Sequence, residues 1–160
     1  MGYATERFNL PLIRQLLDLG ADPNNQVGVF GSVLRYSVFK GLDAITPLLI
    51  EKGADLNVST MDCRSPLAAA IDQRNEPLIR QMLDWGADVN IDDGYPLLMA
   101  CQEGNMKLVN LLIDAGAELQ VQQGIPGNAL RRAAMWGHLE VCKLLISRGV
   151  DVNAHGGQYG

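Results

Sequence analysis

This chain of 160 residues has few of the residue types that most often bind metals or act in catalysis. It contains three cysteines and two histidines. Three widely spaced cysteines do not form a disulfide framework, so we expect a reducing, intracellular compartment, cytoplasmic with the nucleus left open. No run approaches the ~18 consecutive apolar residues of a membrane span, and residues 1–20 lack a basic start followed by an apolar block. The sequence therefore predicts neither membrane insertion nor secretion.

A basic excess is missing as well. The formal net charge is −5, whereas a nucleic-acid-binding surface normally needs a stripe of lysine and arginine. Aromatic residues make up 6% of the chain, but apolar residues make up 48%, which is enough to form a core. With a length near that of one ordinary domain, these proportions predict a folded protein that does not bind nucleic acid.

A short motif recurs five times along the chain. It reads Gly-Ala-Asp-x-Asn in three copies and is looser in two others, and the copies begin at Gly20, Gly53, Gly86, Gly116 and Gly149. These glycines lie 33, 33, 30 and 33 residues apart, and such a period is the signature of a repeat array. Apolar residues at helical spacing precede each glycine, and a shorter alanine-rich segment lies upstream. Each unit is therefore predicted to be a helix, a turn, a second helix that stops at the glycine, and a polar loop.

Residues 132–145, Arg-Ala-Ala-Met-Trp-Gly-His-Leu-Glu-Val-Cys-Lys-Leu-Leu, and the Gly-Ala-Asp-Val-Asn of residues 86–90 resemble the ankyrin repeat. The resemblance covers essentially the whole chain. It implies an all-α, ankyrin-type helix-turn-helix solenoid of about five stacked repeats with short β-hairpin or finger loops. It also implies a single domain, 1–160, with repeats at 1–27 (partial), 28–60, 61–90, 91–123 and 124–155. Residues 156–160 resemble the start of a further repeat, as in long fungal ankyrin arrays.

The sequence departs from the family pattern at several places. No copy has the full Thr-Pro-Leu-His motif, so we expect the hydrogen bonds of that Thr and His to be absent and the stability to be lower than in a consensus array. The loop between Gly86 and Tyr95 is three residues short, which predicts a blunted finger. Pro47 lies inside its expected helix, and this predicts that the helix kinks or starts late.

The sequence gives little indication of a catalytic site or a metal site. His138 and Cys142 are four apart on one predicted helix, but a structural zinc needs four ligands. No serine or cysteine has a recognisable histidine and acid beside it. One aspartate recurs at the same place in the repeat motif, as Asp22, Asp55, Asp88 and Asp151. These aspartates are predicted to stabilise loops rather than to form a catalytic set. We expect no catalysis, no cofactor and no metal.

The resemblance implies instead that another protein binds in a concave groove, which is built from the finger tips and the ends of the first helices. By position, the helix ends are Phe39, Lys40, Asp72, Gln73, Gln102, Glu103, Met135 and Trp136, with Arg132 beside the last pair. By position, the fingers carry Phe30, Met61, Arg64, Tyr95 and Ile125. Exposed aromatic side chains are common anchors of protein interfaces.

The first hypothesis for function is therefore a scaffold-like protein–protein interaction module. The alternative is a structural or regulatory spacer segment of a larger multidomain ankyrin protein. The incomplete first repeat and the unfinished sixth favour this alternative, because they leave open ends for further ankyrin repeats or attached domains to cover. A small-molecule binder or an enzyme that uses the groove as a pocket is a third possibility, for which an open solenoid seldom provides a closed cavity.

Overall fold

A computed structural model describes residues 9–26, 28, 31–60, 64–120 and 129–153. These residues form nine α-helices and, in place of strands, a single antiparallel bridge between Gln26 and Ser32. The predicted all-α class and the predicted helix pairs are confirmed. The predicted finger positions 27, 29–30, 61–63 and 121–128 and the predicted further repeat at 156–160 lie outside the described residues. The chain divides into two compact units, Met1–Ala87 and Asp88–Gly160, and the extent of the single predicted domain stays a prediction.

The first unit contains five of these helices. Their bounds are α1 Leu10–Asp18, α2 Val33–Phe39, α3 Ile45–Glu51, α4 Pro66–Asp72 and α5 Glu76–Asp84. The first helices α2 and α4 pack against each other, and each also packs against the second helix of its own repeat. Ala68 and Ala70 in α4 have no exposed surface. Small side chains at the helix contact therefore let α4 approach its neighbours closely.

The second unit contains the other four described helices, α6 Ile91–Glu103, α7 Met106–Asp114, α8 Ala129–Met135 and α9 Leu139–Ser147. The first helices α6 and α8 pack together, α7 packs on α6, and α9 packs on α8 and α7. Val109, Leu112 and Leu145 are fully buried. The apolar stripe that precedes each repeat glycine thus faces the core, as the helical spacing predicts.

Polar side chains begin most of the helices. The side chains of Asn9, Asn75 and Asn105 accept a hydrogen bond from the N–H three residues later and so cap α1, α5 and α7. Ser32 Oγ accepts from the N–H of Arg35 at 3.1 Å and caps α2. Ser65 Oγ caps α4 in the same way, accepting from the N–H of Ala68 at 3.2 Å.

These serine caps correct one expectation from the sequence. The hydrogen bond that threonine makes in the family motif was expected to be absent, but Ser32 and Ser65 occupy that position and supply it. Both serines are buried, at 1% and 0% exposed. A serine hydroxyl caps a helix as well as threonine does, because the accepting oxygen is the same.

Pro47 delays its helix, which was one of the two expected outcomes. α3 begins at Ile45, so it has seven residues instead of the nine seen in α1, α5, α7 and α9, and Pro47 is its third residue. In the first turn the missing N–H of proline costs little. Thr46 stays helical, and its hydroxyl lies 3.0 Å from the buried Ser37 Oγ.

The connection that is three residues short is closed by left-handed backbone. Asp92, Asp93 and Gly94 have φ of 56°, 57° and 73° in succession, and the regular part of α6 follows. Such backbone costs an L-residue about 1–2 kcal/mol. Tyr95 comes directly after this turn and is buried, with 7% of its surface exposed.

The recurring acids stabilise the loops, as predicted. The Oδ1 atoms of Asp22, Asp55, Asp88 and Asp151 each accept a hydrogen bond from the N–H two residues later, at 2.8–2.9 Å. The asparagine of the motif adds a link that the sequence did not suggest. Asn24 donates to the carbonyl of Gly53 at 3.2 Å and accepts from the N–H of Asp55 at 2.7 Å, so it joins its repeat to the next one. Asn90 makes the same two bonds, to Gly116 and Glu118.

Candidate functional site

Two helix ends of the first unit bring four of the predicted binding residues together. Phe39 ends α2 and is 45% exposed. The ammonium group of Lys40 lies 5.7 Å from the centre of the Phe39 ring and 5.8 Å from that of Tyr36, within range of a cation–π interaction. Asp72 is the last residue of α4, and Gln73 follows it. Gln73 donates a hydrogen bond from Nε2 to the main-chain carbonyl oxygen of Phe39.

The second unit joins its two helix ends in a similar way. Gln102 near the end of α6 accepts a hydrogen bond from Nη1 of Arg132 at 2.6 Å through its Oε1. Its carbonyl oxygen lies 2.9 Å from Nε2 of His138, the residue before α9. Glu103 follows Gln102 and is half-buried. The side chain and the main-chain carbonyl of Gln102 are therefore each held by a side chain of the next repeat.

Met135 and Trp136 are the most exposed apolar pair on these helix ends, with 70% and 58% of their surfaces open to solvent. Met135 is the last residue of α8 and Trp136 follows it directly, while Arg132 lies on α8 one turn before Trp136. A large apolar surface, an indole N–H and a nearby guanidinium offer apolar contact, a hydrogen-bond donor and positive charge in one place. Groups of this kind are typical of noncovalent contacts with another molecule's surface.

The finger residues of the predicted site are accounted for differently. Phe30, Met61 and Ile125 lie outside the described residues. Arg64 is exposed. Tyr95 is buried next to the left-handed turn, so its side chain does not face solvent and we leave it out of the candidate surface.

His138 has a structural position. Its imidazole packs over Gly104 and bonds to the Gln102 carbonyl. Burial, with a smaller contribution from neighbouring Cys142, raises the pKa of the Cys101 thiol to about 12, so Cys101 stays a thiol at neutral pH. Within the described parts of the chain, three or more of histidine, cysteine, aspartate and glutamate do not come together as metal ligands.

The described residues also line two shallow cavities, one in each unit. The first, of about 270 Å³, lies beside Pro47, Asn75 and Gln81, and the second, of about 280 Å³, lies between Glu118 and Arg148. Both fall just below the usual size of a small-molecule pocket, roughly 300–1,000 Å³. No helix in the described ranges is long and apolar enough to cross a membrane.

Sequence reasoning missed three contacts that shape this surface: the cation–π contact of Lys40, the Gln73 bond to Phe39, and the Gln102–Arg132–His138 group. A signal existed for the last of these. Gln102 and Arg132 are 30 residues apart, three fewer than the 33 residues between the equivalent Gly104 and Gly137, so Arg132 lies about one helical turn before the position equivalent to Gln102. The other two depend on side-chain rotamers that the repeat pattern does not specify.

Comparison with known proteins agrees with the repeat geometry. A family model described as ankyrin repeats (3 copies) matches residues 1–93 and again residues 92–155. An ankyrin repeat protein of Fowlpox virus (strain NVSL) is 38% identical over 47 residues, which is 29% of this chain and 7% of that protein. The chain thus matches only a small part of that relative's length. Because the family model accounts for nearly every residue, the chain belongs to the ankyrin repeat family.

Proposed function

We propose that this chain is a protein–protein interaction module that binds a partner protein through the exposed ends of its first helices. Ankyrin repeats are generally protein–protein interaction modules and are generally not enzymes. We name the proposed contact region the helix-end surface. It comprises Phe39, Lys40, Asp72 and Gln73 in the first unit, and Gln102, Glu103, Arg132, Met135 and Trp136 in the second. By the family resemblance these positions line the concave groove.

The single observation that carries the proposal is the exposure of Met135 and Trp136. Trp136 is 58% exposed and Met135 is 70% exposed, although burying apolar surface stabilises a protein by roughly 25 cal/mol per Å². Two adjacent large side chains in that state gain most from contact with a second molecule. Trp and Arg are also the residue types enriched among interface anchors, where one side chain contributes about 2 kcal/mol or more.

The hydrogen bonds behind this surface support the same proposal. Arg132 and His138 hold Gln102 from two sides, and Gln73 holds the end of α2. A surface whose side chains are already fixed loses little conformational entropy when a partner binds. The ammonium group of Lys40 lies over the rings of Tyr36 and Phe39, so its charge likewise has a defined position.

An intracellular location remains part of the proposal. Cys101 is a buried free thiol, and Cys142 is a half-buried one, as is usual in reducing compartments. The proposed partner is a protein and not a nucleic acid, because the formal net charge of the chain is −5.

The proposal is tested by a pull-down from source-cell extract with the parent chain and a Phe39→Ala, Trp136→Ala double variant as baits. Both side chains are exposed, so the double variant is expected to melt like the parent. A partner retained by the parent is expected to bind the double variant at least about tenfold more weakly, the size of effect when one or two anchors are lost.

A matched control is Trp85→Ala, which removes an indole from the end of the second helix α5, away from the helix-end surface. It is expected to retain the partner as the parent does, once circular dichroism shows that it is folded. Equal retention by all three baits would contradict the proposed surface. If none of them retains a protein, the spacer within a larger ankyrin protein becomes the better account.

A further inference from the structure

The cavity of about 270 Å³ in the first unit lies between two second helices, near the residues where α3 and α5 begin. Its lining residues come from two successive repeats, and they are Asp43, Pro47, Asn75, Pro77, Leu78 and Gln81. Each of these two repeats has a described repeat before it and after it in the sequence. The cavity is therefore not a product of where the described chain ends.

Several polar groups of this cavity have no partner in the part of the protein that the structure describes. Asp43 is exposed, and its carboxylate takes part in no ion pair or hydrogen bond with another described residue. Oδ1 of Asn75 accepts a hydrogen bond from the N–H of Leu78 at 3.2 Å, but its Nδ2 group bonds to no described residue. The same is true of the side-chain amide of Gln81. The cavity thus offers a carboxylate and amide groups to a ligand.

The lining residues favour a cation that is carried on an apolar stem. Asp43 is the one charged side chain among the described residues that line the cavity, while Pro47, Pro77 and Leu78 are apolar. A guanidinium group presents five N–H donors in a planar fork that fits carboxylate and amide oxygens, and the methylene groups before it are apolar. Because the cavity falls below the usual size of a small-molecule pocket, a single side chain fits it better than a whole small molecule does.

An anion is the alternative ligand, because the N-terminus of a helix carries about half a positive charge. The first three residues of α5, however, leave no N–H group for an anion. The N–H of Glu76 bonds to the carbonyl oxygen two residues earlier, Pro77 has no N–H, and the N–H of Leu78 donates to Asn75. The full negative charge of Asp43 also repels an anion, so the cavity favours a cation.

This set of polar groups belongs to the second and third repeats and not to the repeat pattern. Two other pairs of second helices pack together, α1 with α3 and α7 with α9. The residue equivalent to Asp43 is Leu10 in the first pair and Met106 in the second, and Leu144 takes the place of Gln81 in the second pair. The described contacts between other second helices therefore lack the carboxylate.

We propose that this cavity binds an arginine side chain of a partner protein, and we name it the arginine cavity. The guanidinium group donates to the carboxylate of Asp43 and to Oε1 of Gln81, while the methylene groups lie against Pro47 and Pro77. The formal net charge of −5 attracts a basic segment to the chain. The cavity lies on second helices, whereas the helix-end surface lies on first helices, so this inference does not rest on the function proposed for that surface.

Titration of the isotope-labelled chain with N-acetyl-arginine N-methylamide, followed by NMR, tests the proposal. Saturable shifts are expected at the side-chain amides of Asn75 and Gln81 and at the backbone N–H of Leu78, with a dissociation constant on the order of millimolar. The matched probe is N-acetyl-citrulline N-methylamide, which has nearly the same shape but no charge. It is expected to bind at least about tenfold more weakly, because it lacks the charge-assisted hydrogen bond. Free arginine is expected to bind more weakly than the blocked form, because Asp43 repels its carboxylate.

Three variants assign the binding to the cavity. Asp43→Asn is expected to weaken the binding of blocked arginine at least about tenfold, because the negative charge is lost. Gln81→Leu, which places the residue type of Leu144 in the cavity, is expected to weaken it severalfold and keeps the test open if the first variant does not fold. Asp84→Asn removes an exposed negative charge from the last residue of α5, outside the cavity. This matched control is expected to bind like the parent.

Equal binding of the arginine and citrulline probes would overturn the proposal, because the cavity would then not recognise charge. Equal weakening by Asp43→Asn and Asp84→Asn would overturn it as well, since that result assigns the effect to net charge alone. So would shifts that lie outside the cavity, or the lack of a saturable shift at millimolar concentrations. Tighter binding of free arginine would contradict a partner protein and assign the cavity to the amino acid instead.

Discussion

The imidazole of His138 lies directly over Gly104, at the point where the fourth repeat turns from its first helix to its second. Gly104 has a left-handed φ of +67°, and a Cβ built on it would overlap the ring. The same imidazole bonds to the carbonyl of Gln102. A glycine in one repeat thus makes room for a histidine of the next, and that histidine holds the end of α6 beside the exposed pair Met135 and Trp136.

The first prediction concerns this contact. Gly104→Ala is expected to destabilise the protein by about 2–3 kcal/mol, because it adds the cost of left-handed backbone to the cost of displacing the ring and its hydrogen bond. The control is Gly137→Ala, where φ is +77° but a Cβ meets no atom within 4 Å. That change is expected to cost only about 1 kcal/mol. Urea unfolding measures both values.

A second substitution identifies the cause. In a His138→Ala background the ring is gone, so Gly104→Ala and Gly137→Ala are expected to cost the same. A persisting excess for Gly104→Ala would mean that the ring is not what the new methyl group meets.

The second prediction concerns Arg74, which takes the place that Gly41, Gly104 and Gly137 hold in other repeats. Its φ is 56°, so a residue with a Cβ adopts left-handed backbone there. Arg74→Gly is expected to raise the free energy of unfolding by about 1 kcal/mol, because the strain disappears. Arg74→Ala, which removes the same side chain but keeps the Cβ, is the matched control and is expected to give no gain. Equal stabilities for the two variants would contradict the strain.

The third prediction concerns the asparagine that joins successive repeats. Asn24→Ala removes both bonds to the next repeat, to Gly53 and Asp55, and is expected to cost about 1–2 kcal/mol in urea unfolding. Asn153 is the equivalent residue of the last described repeat and is exposed. Asn153→Ala is therefore expected to cost less than about 0.5 kcal/mol. If the two substitutions cost the same, the link between repeats does not stabilise the fold.

The fourth prediction concerns pH. A hydrogen bond from Lys52 holds the pKa of Asp18 below its ordinary value of 3.8, and the charges of Lys52 and Arg14 act in the same direction. Because the folded pKa is the lower one, the stabilisation is complete above pH 3.8 and is lost as the pH falls through the folded pKa. Asp18→Asn is thus expected to be less stable than the parent at neutral pH and equally stable in strong acid.

Carboxyl titration by NMR checks the cause directly. Lys52→Met is expected to raise the pKa of Asp18 toward 3.8, while Lys143→Met, which removes an exposed lysine paired with Glu140, leaves it unchanged. An Asp18 pKa that does not respond to Lys52→Met would contradict the assigned ion pair.

The sequence predicts the repeated elements well because their causes are local. The position of Gly53 predicts the end of α3, where φ is +86°, and Pro47 predicts its late start. The repeat spacing also predicts that Met135 and Trp136 lie at a helix end. Each of these inferences needs only a neighbouring residue or the repeat period.

Contacts between repeats are harder to predict, because they depend on how two segments some 30 residues apart meet. The bridging role of Asn24 and the ring of His138 over Gly104 are of this kind. The burial of Tyr95 was also missed. A missing stretch of loop predicts a shorter finger, but not that Asp92 and Asp93 adopt left-handed backbone and direct the following aromatic residue inward.

The most direct test of the central claim is site-specific photo-crosslinking to the protein retained in the pull-down. One bait carries a photo-reactive residue in place of Met135, on the helix-end surface, and the other carries it in place of Ser147, which is also exposed but ends the second helix α9. Binding through the helix-end surface predicts a crosslink from position 135 and little or none from position 147. A crosslink from position 147 with none from position 135 would contradict it.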